Sequence, residues 1–472
     1  MNITETAKAF GVKQVLKYID RDFDQNAIKI CDWLIAHDKK NAVSNEARMV
    51  REVLADKDNN WYQLVKSLYT DIDASQRKRM FENFIINACL VGTPAGFASR
   101  ARHGCNVPWA ILMDPTSGCN LHCTGCWAAE YGNKLNLTLE EMDSVITQAK
   151  ELGCHFFLYS GGEPLVRKKD LITLCERHPD AAFLAFTNGT LIDEAFADEL
   201  LRVKNFVPAI SVEGFEETTD ARRGKGTYAA VVRAMNLLKE KKLAFGISCC
   251  YTSQNWDIIG SEAYYDAMIE LGAKFMWLFT YMPVGRDAVP ELMVSAEQRA
   301  YMYHFVREMR QKKPIFTLDF WNDGEYADGC IAGGRRYLHI NANGDVEPCA
   351  FIHYSDSNIR EKTLLEALQS PLFMSYYHEQ PFNENMLRPC SLLDNQGKLA
   401  EMVDACGAKS TDLQNPEDVH DLCAKCKAAA DSWEVKSREL WEASGGPEKW
   451  AAKKVVLAQR EEKYREKYAR SK

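Results

Sequence analysis

The sequence predicts an α/β fold: a partial (β/α)6 barrel with a helical N-terminal region and a small cysteine-rich C-terminal domain containing a β-hairpin. Three observations predict it. Between residues 108 and about 320, apolar runs alternate with helix-period patterns in six strand–helix units, the pattern of parallel strands joined by right-handed crossovers. Ahead of them, residues 1–105 read as mostly helical. Beyond them, cysteines gather around Asn343-Gly344, a strong two-residue hairpin signal.

The elements follow in order. In the N-terminal region, Ile28, Ile30, Cys31, Leu34 and Ile35, and again Met80, Phe84, Ile85 and Ala88, recur at helical spacing. Thr93-Pro94-Ala95-Gly96 breaks that pattern. The barrel occupies 106–325, with strands expected at 109–114, 154–160, 182–187, 207–212, 244–251 and 274–281. Helices are expected at 139–152, 194–203, 228–239, 261–271 and 296–311, the first opened by a capping box of Thr138 and Glu141. In such a barrel the active site lies at the carboxyl ends of the strands. The cysteine-rich domain spans 326–430, its hairpin formed by 337–341 and 345–348. Residues 431–472 read as a charged helical tail, interrupted at Gly445-Gly446-Pro447.

Composition narrows the function. A net charge of −8 over 472 residues argues against nucleic acid as the main partner. No apolar run is long enough to span a bilayer, and Met1 to Val12 is polar and mixed in charge rather than a secretory signal. These features predict a cytoplasmic protein, and in that compartment thiols stay reduced. Sixteen cysteines there point to metal or redox chemistry. The tail from Lys449 to Lys472 is locally basic and sets Trp450, Leu457, Tyr464 and Tyr468 near heptad spacing. It is open to peripheral contact with an anionic membrane, although packing on its own protein is the favoured reading.

The decisive string is Cys119-Asn-Leu-His-Cys123-Thr-Gly-Cys126-Trp127, on the loop after the first expected strand. Three thiolates on one tight loop hold three irons of a 4Fe–4S cluster and leave the fourth without a protein ligand. Catalytic metal sites keep such an open position, whereas structural ones close it. A structural zinc, or an electron-transfer cluster completed by a distant cysteine, is the competing reading. The spacing resembles the signature of the radical S-adenosylmethionine (SAM) superfamily. The resemblance implies that SAM chelates the open iron, is cleaved reductively, and yields a 5'-deoxyadenosyl radical that takes hydrogen from a substrate. It also sets Trp127 beside the adenine.

Other strings sit where that resemblance places SAM contacts. Gly161-Gly162-Glu163-Pro164 follows the second strand and resembles the motif that binds the SAM amino group. Glycines let backbone approach a ligand, and a glutamate accepts from an ammonium group. Ser211-Val212-Glu213-Gly214 ends the fourth strand, followed by Asp220, Arg223 and Gly224. This resembles strings in peptide-modifying relatives in which serine and an acidic residue reach the ribose and arginine the SAM carboxylate, with Glu213 standing where aspartate is usual and Arg222 a neighbouring candidate. Asn188-Gly189 and Pro283-Val284-Gly285-Arg286 follow the third and sixth strands, where turn chemistry is the alternative.

A second cysteine group holds Cys330, Cys349, Cys390, Cys406, Cys423 and Cys426. Cys330 and Cys349 flank Gly344 in an arrangement that resembles the opening of SPASM and twitch domains, which carry auxiliary 4Fe–4S clusters. The full SPASM cysteine run is absent, so one auxiliary cluster is expected. Its candidate ligands are Cys330, Cys349, Cys423 and Cys426, with Cys390 able to replace one, and a structural zinc is the alternative. Cys154, Cys175, Cys249 and Cys250 read as buried hydrophobes. The substrate reads as a peptide or protein side chain, alternatively a lipid or other apolar small molecule. The resemblance further implies a low-potential electron donor such as flavodoxin or ferredoxin. A non-catalytic iron–sulfur carrier or zinc-stapled protein is the reading from another class, and it has no need of the strings at 161–164 and 211–224.

Overall fold

The protein is described by a computed structural model covering residues 3–37, 44–285 and 288–469. Seven strands follow one another through the barrel: β1 (Ala110–Met113), β2 (Phe156–Tyr159), β3 (Ala182–Thr187), β4 (Phe206–Ser211), β5 (Gly246–Tyr251), β6 (Phe275–Thr280) and β7 (Phe316–Asp319). A hairpin of β8 (Tyr337–Ile340) and β9 (Val346–Glu347) comes next. Among the described residues these make one nine-stranded sheet in the order β7-β6-β5-β4-β3-β2-β1-β8-β9. Every pair is parallel except β8 with β9.

The six expected strands and their helices are present, and Thr138 with Glu141 closes the expected capping box on the helix Leu139–Leu152. Side chains alternate across the sheet as the period of two requires. Ile111, Met113, Phe157, Phe183, Ile210 and Met276 face the core beneath the helices. Ala110, Leu112, Phe156, Leu158 and Ala182 face the barrel interior. Two features were not legible. The short β7 extends the sheet by one strand at the β6 edge. The hairpin pairs β8 in parallel with β1, so the cysteine-rich region is sewn into the barrel sheet rather than appended to it. The boundaries expected at 325/326 and 430/431 fall inside the helices Gly324–Ala327 and Val419–Ala443.

Helices cover the N-terminal region, and one of them closes the bottom of the barrel. The π-helical segment Phe81–Gly92 sets the Phe84 ring 5.6 Å from Trp109 and 5.1 Å from Phe156. Asn83 Nδ2 donates to the carbonyls of Ala181 and Pro179, at 2.6 and 3.0 Å, and so binds this segment to the turn before β3. Thr93-Pro94 does not end the helical run. Pro94 lies in the first turn of the next helix, Thr93–His103, where its missing N–H costs nothing.

The tail forms the helix Gly446–Ala469 and packs on the protein itself: Tyr464 lies 5.6 Å from Phe97, with Arg460 over the same ring at 4.3 Å. No helix among the described residues is long and apolar enough to cross a membrane.

A Cβ at Gly92 would meet the carbonyl oxygens of Gly153 at 2.5 Å and Asn87 at 2.8 Å. Both are backbone and cannot swing aside. Gly92→Ala is expected to destabilise the fold by about 1–3 kcal/mol, read as a lowered midpoint in urea unfolding.

Candidate functional site

The loop carrying Cys119, Cys123 and Cys126 leaves the carboxyl end of β1, so the barrel delivers the three thiols to its open rim. Cys119 is exposed and the other two half-buried. Burial pushes the Cys119 thiol up to about 11, and the charges of Glu163, Cys123 and Cys126 push the same way. Gly125 turns the chain between the second and third cysteines at φ +64°, and a Cβ there would strike the Tyr281 ring at 2.7 Å.

Gly161 and Gly162 lie directly against this loop. Their amide neighbourhood is bonded to it: Gly162 N–H donates to Thr116 O at 3.0 Å and Glu163 N–H to Gly118 O at 2.9 Å. A Cβ on Gly162 would sit 2.2 Å from Gly118 O, so only glycine fits. The Glu163 carboxylate, in contrast, turns into the protein. It accepts from Thr187 Oγ1 at 2.6 Å, Asn188 N–H at 2.7 Å and Leu165 N–H at 2.9 Å, and is 1% exposed. Its side chain thus pins the β2 loop to β3, and Gly161 and Gly162 are the partly exposed members of the motif. Pro164 is buried behind them. Asn188 Nδ2 donates to Asn120 Oδ1 at 2.8 Å, tying the β3 end to the cysteine loop.

Ser211 closes β4, and Glu213 beyond it is fully buried. Glu213 Oε1 accepts from Arg222 Nη1 at 2.8 Å and from Arg223 Nε at 2.9 Å, while Oε2 accepts from Cys250 N–H at 2.9 Å. Burial pushes its carboxyl up, but the Arg222 and Arg223 guanidinium groups outweigh that and hold it below the usual carboxylate range. Both arginines reach the cysteine loop. Arg223 Nη1 stands 3.9 Å from Cys123 Sγ, and Arg222 Nε donates to Thr124 O at 3.3 Å. Glu213 is therefore a clamp on two cations rather than a free acceptor. Asp220 caps the next helix through Gly226 and Tyr228 N–H. Gly285 O accepts from Lys425 Nζ at 2.6 Å, and Arg286 lies outside the described residues.

Trp127 stands edge-on to His339 with ring centroids 5.6 Å apart, and 5.8 Å from Phe351. His339 lies between two buried carboxylates, Asp114 Oδ2 at 3.0 Å and Glu347 Oε2 at 2.6 Å. Burial works against its charge, yet Asp114 and Glu347 raise it to about 10, so it is an imidazolium. Tyr131, Asn341 and Thr411 also donate to Glu347. The sequence offered no signal for this network beyond isolated polar residues in the hairpin.

The second cysteine group divides. Cys330, Cys349 and Cys390 line one cavity of about 150 Å3, with Tyr337 and Tyr376. Cys423 and Cys426 are buried on the helix Val419–Ala443 and do not line it. Among the described residues, no three His, Cys, Asp or Glu side chains converge tightly enough for a single metal ion. Each iron of a multi-iron cage takes one thiolate; Cys119, Cys123 and Cys126 share one loop, and Cys330, Cys349 and Cys390 share one cavity.

The chain matches the Radical SAM superfamily over residues 113–258 and the SPASM iron–sulfur cluster-binding domain over residues 330–392. It is a radical SAM enzyme with an auxiliary iron–sulfur domain, and its cofactors are a 4Fe–4S cluster, SAM and auxiliary iron–sulfur centres. Among its relatives, the AdoMet-dependent heme synthase of Methanosarcina barkeri is 26% identical over 290 residues, 55% of this chain and 82% of that one. The Fe-coproporphyrin III synthase of the same organism is 34% identical over 231 residues, 46% of this chain and 57% of the relative. The PqqA peptide cyclase of Granulibacter bethesdensis is 27% identical over 258 residues, 51% of this chain and 67% of the relative. In fold the chain resembles Streptococcus suis SuiB bound to S-adenosylmethionine, with TM-score 0.52 and 19% identity over 62% of this chain and 74% of that one.

Glu213→Gln leaves two half-buried cations with a neutral partner. The variant is expected to lose about 3 kcal/mol of unfolding free energy. Because the Glu213 carboxyl is held low in the fold, its contribution is present above the unfolded glutamate range and is lost as pH falls. Urea unfolding from neutral to acid pH checks both: the wild type loses this increment on acidification, and the variant lacks it throughout.

Proposed function

We propose that the chain holds its 4Fe–4S cluster on Cys119, Cys123 and Cys126 and uses it to cleave SAM reductively, so that a hydrogen atom is taken from a substrate at the open rim of the barrel. The observation that carries this reading is the placement on one loop of three thiols, a backbone that only glycine permits at Gly162, and the paired guanidinium groups of Arg222 and Arg223. When bound, the cluster supplies the electron that breaks the SAM sulfur–carbon bond and so yields the 5'-deoxyadenosyl radical.

The residues divide the work of holding SAM. Backbone at Gly161 and Gly162 receives the amino group, with Glu163 and Pro164 fixing that backbone from behind. The Arg223 guanidinium faces the cysteine loop and pairs with the SAM carboxylate. Ser211 and Asn188, at the ends of β4 and β3, serve the ribose side. Glu213 acts by holding Arg223, and Trp127 flanks the adenine. A low-potential donor such as flavodoxin or ferredoxin, in a cytoplasmic setting, supplies the electron.

For the substrate, a peptide or protein side chain is supported by the likeness to the PqqA peptide cyclase. A second reading, an apolar small molecule, is favoured by a specific observation. The inward side chains of β6 are Phe275, Trp277 and Phe279, and Trp277 joins Phe320, Trp321 and Phe351 around the cavity. Two of the relatives named above are, by name, synthases of heme and of an iron porphyrin.

Anaerobic protein reconstituted with iron and sulfide is expected to form 5'-deoxyadenosine from SAM and dithionite, followed by chromatography. Cys126→Ala is expected to keep the thermal unfolding profile and drop the product to background. Formation at the wild-type rate in that variant overturns the proposal. Transfer of deuterium from labelled peptide or labelled apolar candidates into 5'-deoxyadenosine separates the two substrates.

A further inference from the structure

The tail helix Gly446–Ala469 packs on the helix Thr93–His103 beside the loop that leads into β8. Four cations gather there, Arg100, Arg336, Lys453 and Arg460, and they share two carboxylates. Asp328 serves both Arg336, at 3.2 Å, and Lys453, at 2.5 Å. Glu461 lies 3.2 Å from Arg100, whose guanidinium also covers the Tyr377 ring at 5.1 Å. Arg460 stands over the Phe97 ring at 4.3 Å and Arg336 over the same ring at 6.0 Å. Among the described residues Arg460 has no carboxylate partner, and its Nε is buried with no acceptor. Arg335, behind them, spends its donors on the carbonyls of Cys330, at 2.6 Å, and Gly329, at 3.1 Å, and so belongs with the cysteine cavity.

Such crowding opposes folding, because like charges repel and each guanidinium gives up water to be there. Arg336 carries the mark of it. Burial holds its guanidinium below the usual range, and the charges of Arg460 and Arg100 push the same way, against Asp328. A dianion balances the surplus. The arginine fork fits the paired oxygens of an oxyanion, and a phosphate monoester carries about two negative charges at neutral pH. On a chain of net charge −8 this region is of opposite sign, so it draws anions to one place.

The cluster stands apart from the cysteine loop. Arg336 directly precedes β8, and its carbonyl accepts from Trp109 and Ala110 N–H at 2.8 and 2.9 Å, at the amino end of β1. Cys119 lies beyond the other end of that strand. Arg100, Lys453 and Arg460 also fall outside both spans matched to known domains.

We propose that Arg100, Arg336, Lys453 and Arg460 form a binding site for a phosphate monoester group, presented by a soluble phosphate compound or by a phosphatidate-type lipid headgroup. The phosphate bridges the tail helix, through Lys453 and Arg460, to the helix Thr93–His103 through Arg100 and to the start of β8 through Arg336. Occupancy therefore fastens the tail to the barrel.

The test uses the full chain, reconstituted anaerobically in phosphate-free buffer and titrated with inorganic phosphate by calorimetry at fixed ionic strength, with chloride as the control. A single saturable site is expected, with slower amide exchange across 446–469 once it is filled. R460Q is expected to weaken binding about tenfold or more. E461Q removes the carboxylate that competes for Arg100 and is expected to tighten binding about two- to fivefold, a gain that misfolding does not produce. Flotation with phosphatidylcholine vesicles, with and without phosphatidic acid, separates the sources. Capture that needs phosphatidic acid and is lost in R460Q assigns the lipid headgroup; phosphate binding without capture assigns the soluble compound. Absence of both, an equal response to chloride, or affinities unchanged in R460Q and E461Q would each overturn the proposal. Every arm is read without SAM, so failure of 5'-deoxyadenosine formation leaves this site standing, and the reverse holds too.

Discussion

The ion pair of Asp114 with His339 crosses the seam on which the site is built. Asp114 directly follows β1, five residues before Cys119, and His339 lies on β8, beside β1. A charge buried alone costs several kcal/mol, so each requires the other. Glu347, with donors from Tyr131, Asn341 and Thr411, balances the imidazolium from the far side. This arrangement fixes register as well as energy. His339 pairs with Leu112 across the two strands, and a slip of one residue would turn the imidazole to the opposite face of the sheet. The hairpin that brings Cys349 and the strand that brings Cys119 are thereby locked to one another. Trp127 rests its edge on the same imidazole, so the residue nearest the first cysteine group is positioned from the second domain.

A second buried charge cluster acts on the other side of the loop. Glu213 is one anion serving two cations, and both cations extend to residues 123 and 124. The pair leaves a net positive field beside thiols that must be ionised to hold iron. The substitution of glutamate for the usual aspartate supplies one more methylene, and in this fold the carboxylate spends that reach on the guanidinium groups and on Cys250 N–H. Position within the sheet explains why the clamp is rigid. Ser211 pairs with Ser248 on the neighbouring strand, so the β4 end and the β5 end carry the acceptor and its third donor together.

Much of the barrel was legible because its signals are local. Six apolar runs, a capping box at Thr138 and the Asn343-Gly344 turn each depend on a few consecutive residues, and each appears where the pattern places it. The spacing of Cys119, Cys123 and Cys126 was legible for the same reason. What escaped was long-range. Nothing local in Tyr337–Ile340 says that it will pair with Ala110–Met113 more than two hundred residues earlier. The fate of Glu163 escaped as well, since a carboxylate in a glycine-rich turn reads as a ligand acceptor until Thr187 and Asn188 arrive from another strand. The sorting of the six later cysteines likewise depends on which face of Val419–Ala443 meets the core, and sequence spacing alone is blind to that.

The two cysteine groups then differ in kind, and the difference is physical rather than one of number. The first lies at the rim, partly open to solvent, with two arginines at hand. The second lines a cavity, with Cys349 buried and Cys330 and Cys390 half-buried. Burial pushes Cys349 up to about 12 and raises Cys330 and Cys390 also, although Arg335 lies near Cys330. Thiols in such surroundings gain little from ionising unless metal takes the charge. A rim site with cations suits a cofactor that enters, reacts and leaves, because solvent access and a positive field both favour an anionic carboxylate arriving from water. A site walled by aromatic rings suits a group that is installed once and kept. The protein thus separates exchange from retention by placing one set of thiols on a loop and the other behind a sheet edge, with Phe351 and Trp127 as the partition between them.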